Sequence, residues 1–318
     1  MILQTGMRTD IPAFFSRWLM NRIREGRVMV RNPFNYHQVT SYRIDPEVVD
    51  VLCFCTKNPH PLLAYHEELS RFGQYWFVTI TPYGPDLEPG VPPILSVVRS
   101  TLQLSSLLGP GALALRYDPV LLSDVYTETV HYRSFDSILR CFRGRVDTVV
   151  VSFIREYPKH EITFPRLRSV PLETRRRMIV NFNRIAAGHG MLLKLCGEDP
   201  KYFADLGVHI GGCLTYEVFE RALGVRLRRE NYPRVRECDC LMGHDIGAYN
   251  TCLHMCRYCY ANYLESRVRA AVKQHDVNSP LLVGQLEEGD RITCAVQKSL
   301  IVRQNDLFGP GNGKDGAG

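Results

Sequence analysis

Short apolar runs recur through the first two thirds of the chain, and between them apolar residues shift to helical spacing. The runs cover residues 2–5, 49–55, 76–81, 112–117, 147–153 and 191–195. Each is brief and often β-branched, the pattern of a strand buried on both faces. After the first run, Asp10 is placed to cap a helix and Pro12 falls in its first turn. Ile11, Phe14, Phe15, Trp18, Leu19 and Ile23 then form one apolar stripe. Repeated alternation of strand and helix predicts a parallel sheet, open or rolled into a barrel.

Every run breaks off into polar residues. Arg8, Thr9 and Asp10 follow the first, Thr56, Lys57 and Asn58 the second, and Thr81 and Tyr83 the third. Arg116 and Asp118, Arg155 and Glu156, and Glu198 close the remaining three. In (β/α) barrels the loops at this edge converge on one mouth, where active-site residues gather. Lys57, Asn58, Arg116, Asp118 and Glu198 are therefore candidate mouth residues, although Asp10 and Asn58 would serve equally as helix caps. From Gly197 onward the pattern turns loop-rich, and a last helix is expected from about Cys259 to Val272. These boundaries predict one α/β barrel domain over 1–272 with a cysteine-rich region at 196–262. A short β appendage over 273–308 and a flexible tail over 309–318 complete the chain.

Bulk composition adds little to this picture. Of 318 residues, 45% are hydrophobic and 23% charged, ordinary for a soluble globular protein. No apolar run approaches the roughly eighteen residues of a membrane span, and Arg8 and Asp10 interrupt any secretory signal. A cytoplasmic protein without a membrane partner is expected. The net charge of +6 is mild, but arginines crowd two stretches. Arg166, Arg168, Arg175, Arg176 and Arg177 form one; Arg226, Arg228, Arg229, Arg234 and Arg236 form the other. Such runs can meet the phosphates of DNA or RNA, or can be solvated faces.

The eleven cysteines change the picture, since seven of them lie between Cys196 and Cys259. In a reducing cytosol that clustering points to metal or catalysis rather than disulfides. Cys252, Cys256 and Cys259 are spaced by three and then two residues, so one loop can wrap three irons of a 4Fe-4S cubane and leave the fourth open. An open iron is what S-adenosylmethionine (SAM) needs for chelation by its amino and carboxylate groups. One electron, from a donor such as flavodoxin or ferredoxin, then breaks a carbon–sulfur bond and yields a 5′-deoxyadenosyl radical. Tyr258 is suitably placed to lie against adenine, and Asn58 and Asn262 are further candidate cofactor contacts. The competing reading is a zinc site, with His254 as an awkward fourth ligand, in a non-enzymatic nucleic-acid-binding module. Cys196, Cys213, Cys238 and Cys240 are enough for a second 4Fe-4S cluster or for a zinc. Cys53, Cys55, Cys141 and Cys294 read as structural.

The motif CxxxCxYC is similar to that of radical SAM enzymes, and CxYCYAN to the spore photoproduct lyase branch. Over nearly its whole length the chain resembles a bacterial family, the domain of unknown function numbered eighteen forty-eight. The matching stretches are RTDIPAF from Arg8, TKNP from Thr56, TPYG from Thr81, RYDP from Arg116, CDC from Cys238, DIGAYNTC from Asp245 and CYANY from Cys259. The resemblance implies a (β/α)6-type partial parallel barrel, radical SAM-like. Radical SAM proteins usually carry the cluster loop after the first strand. Here it follows six βα units near the C-terminus, so a circular permutation is expected. Repair or modification of nucleic acid is the first substrate to consider. Gln304, Leu307 and Phe308 look like the short peptide with which DNA-maintenance proteins dock on the sliding clamp.

Overall fold

The computed structural model describes residues 1–160, 164, 167–230 and 240–302. In chain order the elements begin with β1 (Ile2–Gln4), α1 (Ile11–Phe14), α2 (Ser16–Arg24), β2 (Arg27–Asn32) and β3 (Asn35–Arg43). Then come β4 (Val51–Thr56), α3 (His60–Leu63), α4 (His66–Leu69), β5 (Gln74–Thr79), α5 (Ile94–Leu108) and β6 (Leu113–Val120). These are followed by α6 (Glu128–Cys141), β7 (Thr148–Phe153), α7 (Leu172–Gly188), β8 (Leu192–Leu195) and β9 (His209–Ile210). The last are α8 (Tyr216–Leu223), β10 (His244–Asp245), α9 (Glu265–Val272) and β11 (Arg291–Cys294).

Eight strands form one parallel sheet in the order β10-β1-β4-β5-β6-β7-β8-β9. The six apolar runs of the sequence are β1 and β4 to β8. They succeed one another across the sheet without the reversal of a doubly wound fold, an order consistent with a partial barrel. The sheet does not close through a β9–β10 pair: these two strands are its edges.

Each central strand is apolar on both faces, and the two-residue period sorts its side chains between two cores. Leu52, Phe54, Trp76, Val78, Leu115, Tyr117, Val149, Val151 and Leu193 face one core, shared with Trp18 and Leu19 of α2, Leu104 of α5, Phe135 of α6 and Phe182 of α7. Phe54 stacks on Trp76 with ring centroids 4.0 Å apart. The intervening residues Val51, Cys53, Tyr75, Phe77, Ala114 and Val150 face a second core, where Phe219 of α8, Cys213 and Cys240 cover them.

Three local departures have physical causes. The predicted first helix is split, because Phe15 leaves helical backbone angles (φ −129°, ψ 26°). The Ser16 hydroxyl then takes up the Pro12 carbonyl at 2.6 Å, the acceptor its own amide would use in a continuous helix. The last helix starts at Glu265 rather than near Cys259. Its expected first turn is tied instead to the cysteine loop, with the Tyr263 amide donating to Asn250 (2.6 Å) and Asn262 Nδ2 donating to the Cys252 carbonyl (2.7 Å). A small sheet, β11-β3-β2, has no counterpart among the apolar runs, since β11 and much of β3 are exposed and the apolar stretch of β2 spans only Val28 to Val30. Among the described residues no helix is long and apolar enough to cross a membrane.

One polar interaction inside the first core is well defined. His131 is fully buried, with Nε2 beside the Leu121 carbonyl at 2.8 Å and Nδ1 beside the Tyr117 hydroxyl at 2.8 Å. A carbonyl can only accept, so Nε2 carries the proton and Nδ1 accepts from Tyr117. Burial holds the ring's pKa below its ordinary 6.5. The unfolded chain therefore binds a proton that the folded one refuses, and this group's contribution is present above that pH and lost below it. Tyr117→Phe should strand a buried Nδ1 and cost about 1–3 kcal/mol. Urea unfolding at pH 7.5 should show a lower midpoint with an unchanged slope; a wild-type midpoint would refute the assignment.

Candidate active site

The cavity follows from strand parity. Continuing the second-core row toward the C-terminal strand ends gives Cys55, Thr79, Arg116, Ser152 and Cys196, and all five line one cavity of about 260 Å³. Its other walls include Gly6, Met7, Thr9 and Asp10 after β1, Thr56 and Lys57 after β4, Asp118 and Pro119, the segment after β7, and the cysteine loop. Cys252, Cys256, Tyr258 and Cys259 all border it.

Several contacts bring the late loop to this mouth. β10 pairs with β1, and the Asp245 carboxylate accepts from the Met7 amide (2.8 Å) and Arg8 Nε (3.0 Å). Asp10 then connects three segments. Its Oδ1 accepts from the Ala13 amide at 3.0 Å and caps α1, while Oδ2 meets the Lys57 amide and His254 Nε2, each at 2.8 Å. His254 Nδ1 faces the Gly90 carbonyl at 3.1 Å. Both ring nitrogens are thereby engaged, so His254 orients the loop and is not the zinc ligand weighed from sequence. Asn250 (φ 56°) and Met255 (φ 53°) lie in the left-handed region, where non-glycine residues are uncommon and tend to mark functional loops.

The charged groups are arranged in pairs. Lys57 Nζ meets Glu88 Oε1 at 2.9 Å and the Thr81 hydroxyl at 3.3 Å, and the Tyr258 hydroxyl donates to the same carboxylate oxygen. Burial works against the Lys57 charge, but Glu88 and the nearby Cys256 outweigh it and hold its pKa above the usual value. Arg116 donates to Asp118 and, at 3.3 Å, to Cys55 Sγ, while the Ser152 hydroxyl donates to Asp118. Burial again opposes the guanidinium, and Asp118 with the surrounding thiols prevails. Burial raises the thiol pKa values of Cys252 and Cys256, so bound metal must displace protons there. Thr9 Oγ1 and Arg116 Nε, both on cavity-lining residues, have no protein partner.

Of the residues singled out from sequence, Lys57, Arg116, Asp118, Tyr258, Cys252, Cys256, Cys259 and Cys196 line the cavity. Asn262 supports the loop from behind; its Oδ1 is buried without a protein partner. Asn58 and Glu198 are not among the lining residues. Asn58 accepts from the His60 amide at 3.3 Å, and Glu198 is ion-paired with Arg175. Cys213 and Cys240 lie against Cys196 in the second core, and these three thiols form a group able to hold a metal ion. Cys238, Arg166, Arg234, Arg236 and the peptide Gln304, Leu307, Phe308 lie outside the described residues. In the basic stretches Arg176 and Arg177 pair with Asp205 and Glu128, and Arg229 with Glu217 and Glu220, as solvated faces do, while Arg175 pairs with the largely buried Glu198. Sequence reasoning does not find Glu88, Cys55 or Ser152 as site residues. For two of them a signal exists in the sequence: Cys55 and Ser152 share the parity of Cys53 and Val150.

Fold and site together define an α/β protein with a parallel, partly barrel-like sheet and a cysteine-lined cavity at the strand ends. The chain belongs to the family described as Domain of unknown function (DUF1848), whose model matches residues 2–261. No curated protein matches it. A solved structure from work on inhibition of the pneumococcal virulence factor StrH and on N-glycan recognition and hydrolysis aligns at 10% identity, over 84% of this chain and 80% of that one. Its TM-score of 0.26 is too low to bear on fold or activity.

Gly90 tests how the loop is held. Its amide donates to the His254 carbonyl at 2.9 Å, and an added Cβ would lie 2.2 Å from the Leu253 carbonyl oxygen. Gly90→Ala should displace the loop. In metal-free protein, alkylation of Cys252, Cys256 and Cys259 should accelerate while that of Cys213 and Cys240 stays constant; unchanged rates at the loop would show that it is not pinned there.

Proposed function

We propose that this chain is a radical SAM enzyme on a circularly permuted (β/α)6-type barrel. The observation that carries the reading is that the late CxxxCxxC loop and the polar ends of the central strands border the same cavity. The order of the sheet supports permutation: β10, the strand leading into the cysteine loop, stands before β1, where the first strand of an unpermuted barrel would lie.

The residues present fit the cofactors. Among the described residues, the thiols gathered tightly enough around one point for a single ion are Cys196, Cys213 and Cys240. Cys252, Cys256 and Cys259 are more widely set, as the corners of a multi-iron cluster require. The Ala261 amide donates to Cys259 Sγ at 3.3 Å. Cys252, Cys256 and Cys259 would hold a 4Fe-4S cluster, which, reduced by an external electron donor, would supply reductive cleavage of SAM.

This chain's own residues prepare the cavity. Asp10 and His254 fix the loop. Lys57, held by Glu88, and Arg116, held by Asp118, offer both charge signs to a zwitterionic amino acid sulfonium. The Tyr258 ring presents an aromatic surface for adenine, its hydroxyl being occupied by Glu88. The acidic partners of Arg175, Arg176, Arg177 and Arg229 favour a substrate that enters this cavity over one gripped along those arginines.

Anaerobic reconstitution should give a brown protein with about four irons and four sulfides on the loop. With dithionite it should release 5′-deoxyadenosine from SAM. Cys256→Ala should lower that release at least about a hundredfold, a loss of ~2.7 kcal/mol in barrier terms. A Cys256→Ala protein as active as wild type would overturn the reading.

A further inference from the structure

We infer that Cys196, Cys213 and Cys240 bind one thiophilic divalent ion, zinc by preference, and that this ion is a clasp joining the two edges of the open sheet. The clasp is independent of the radical chemistry and holds whether or not the cysteine loop carries a cluster.

Three observations lead to it. The first is sulfur spacing. Cys213 Sγ lies 3.6 Å from Cys196 Sγ and 3.5 Å from Cys240 Sγ. Tetrahedral zinc with bonds of about 2.3 Å sets its thiolates about 3.8 Å apart, so the trio is nearly spaced for one ion. A cubane gives each thiolate its own corner iron and spreads them further. The second is the local donor. The Cys213 amide donates to Cys240 Sγ at 3.2 Å, which stabilises charge on a sulfur ligand.

The third is topology. Cys196 follows β8, Cys213 follows the edge strand β9, and Cys240 precedes β10 at the opposite edge. Between these edges the sheet lacks β pairing, and a backbone bond from the Leu241 amide to the Leu214 carbonyl at 2.8 Å links them. An ion on these thiols therefore closes two loops, of 17 and 27 residues. Its binding energy becomes folding energy for the segments that cover the second core. Because Cys196 also lines the cavity, the clasp fixes part of the active-site wall.

The test uses the full chain carrying Cys252→Ala, Cys256→Ala and Cys259→Ala, grown with zinc and iron and purified without air. It should hold about one zinc per chain and no inorganic sulfide. Adding Cys213→Ser should abolish that metal. In the triple variant with Cys213 intact, chelation should speed amide exchange about tenfold or more in residues 209–215 and 241–246 and leave β5 and β6 unchanged. A metal-free triple variant, several irons with sulfide, a Cys196–Cys213 disulfide, or edge exchange indifferent to chelation would each refute the clasp. If the triple variant does not fold, cobalt added to metal-free wild-type protein decides. Thiolate-to-cobalt absorption should persist in Cys256→Ala and vanish in Cys240→Ser; the reverse pattern refutes the proposal.

Discussion

The Asp10 carboxylate is the point at which the molecule's separate stretches become one site. One oxygen caps a short helix after the first strand; the other joins the amide after β4 to the imidazole of the cysteine loop. A buried carboxylate tolerates its loss of water only when its lone pairs are filled. Here they are filled by groups more than forty residues apart in one direction and more than two hundred in the other. The need to satisfy one acceptor thus fixes where a loop near residue 254 must lie relative to strands near residue 5.

Around that point, sheet parity does the sorting. Side chains of one parity pack the helical layer, and those of the other pack α8 until, near the strand ends, they become polar and open into a cavity. Arg116 shows the consequence. Its neighbours Leu115 and Tyr117 belong to the first core, and its own guanidinium, stretched over Phe77, reaches Cys55 and Asp118. A one-residue slip of β6 would bury the cation in the apolar layer, so the apolar pattern fixes the chemistry as well as the fold.

Much of this was legible in the sequence where burial is complete, and illegible where it is partial. The strands β1 and β4 to β8 announce themselves as continuous apolar runs because both faces are covered. β3 does not, since Asn35 to Gln38 face solvent, and β2 carries an apolar stretch of only three residues, Val28 to Val30. The two-residue strands β9 and β10 are too short to carry any period. In the site, the cysteine loop was visible through spacing alone, and Lys57, Arg116 and Asp118 through their place at strand ends. Glu88 was not, because it sits in a loop and gains its role only by meeting Lys57 and Tyr258 in space. Glu198 and Asn58 occupy comparable strand-end positions but do not line the cavity. Position at a strand end narrows the candidates, but which of them border the cavity is decided in three dimensions.

The brevity of the outer strands has a bearing on how the molecule behaves in a crowd. β9 and β10 each offer two residues of ladder at the margins of an otherwise long parallel sheet. A neighbouring chain seeking to add a strand finds almost no row of free amides and carbonyls to copy. Such margins let a wide, strongly apolar sheet remain self-contained, discouraging the templated stacking that longer exposed borders invite.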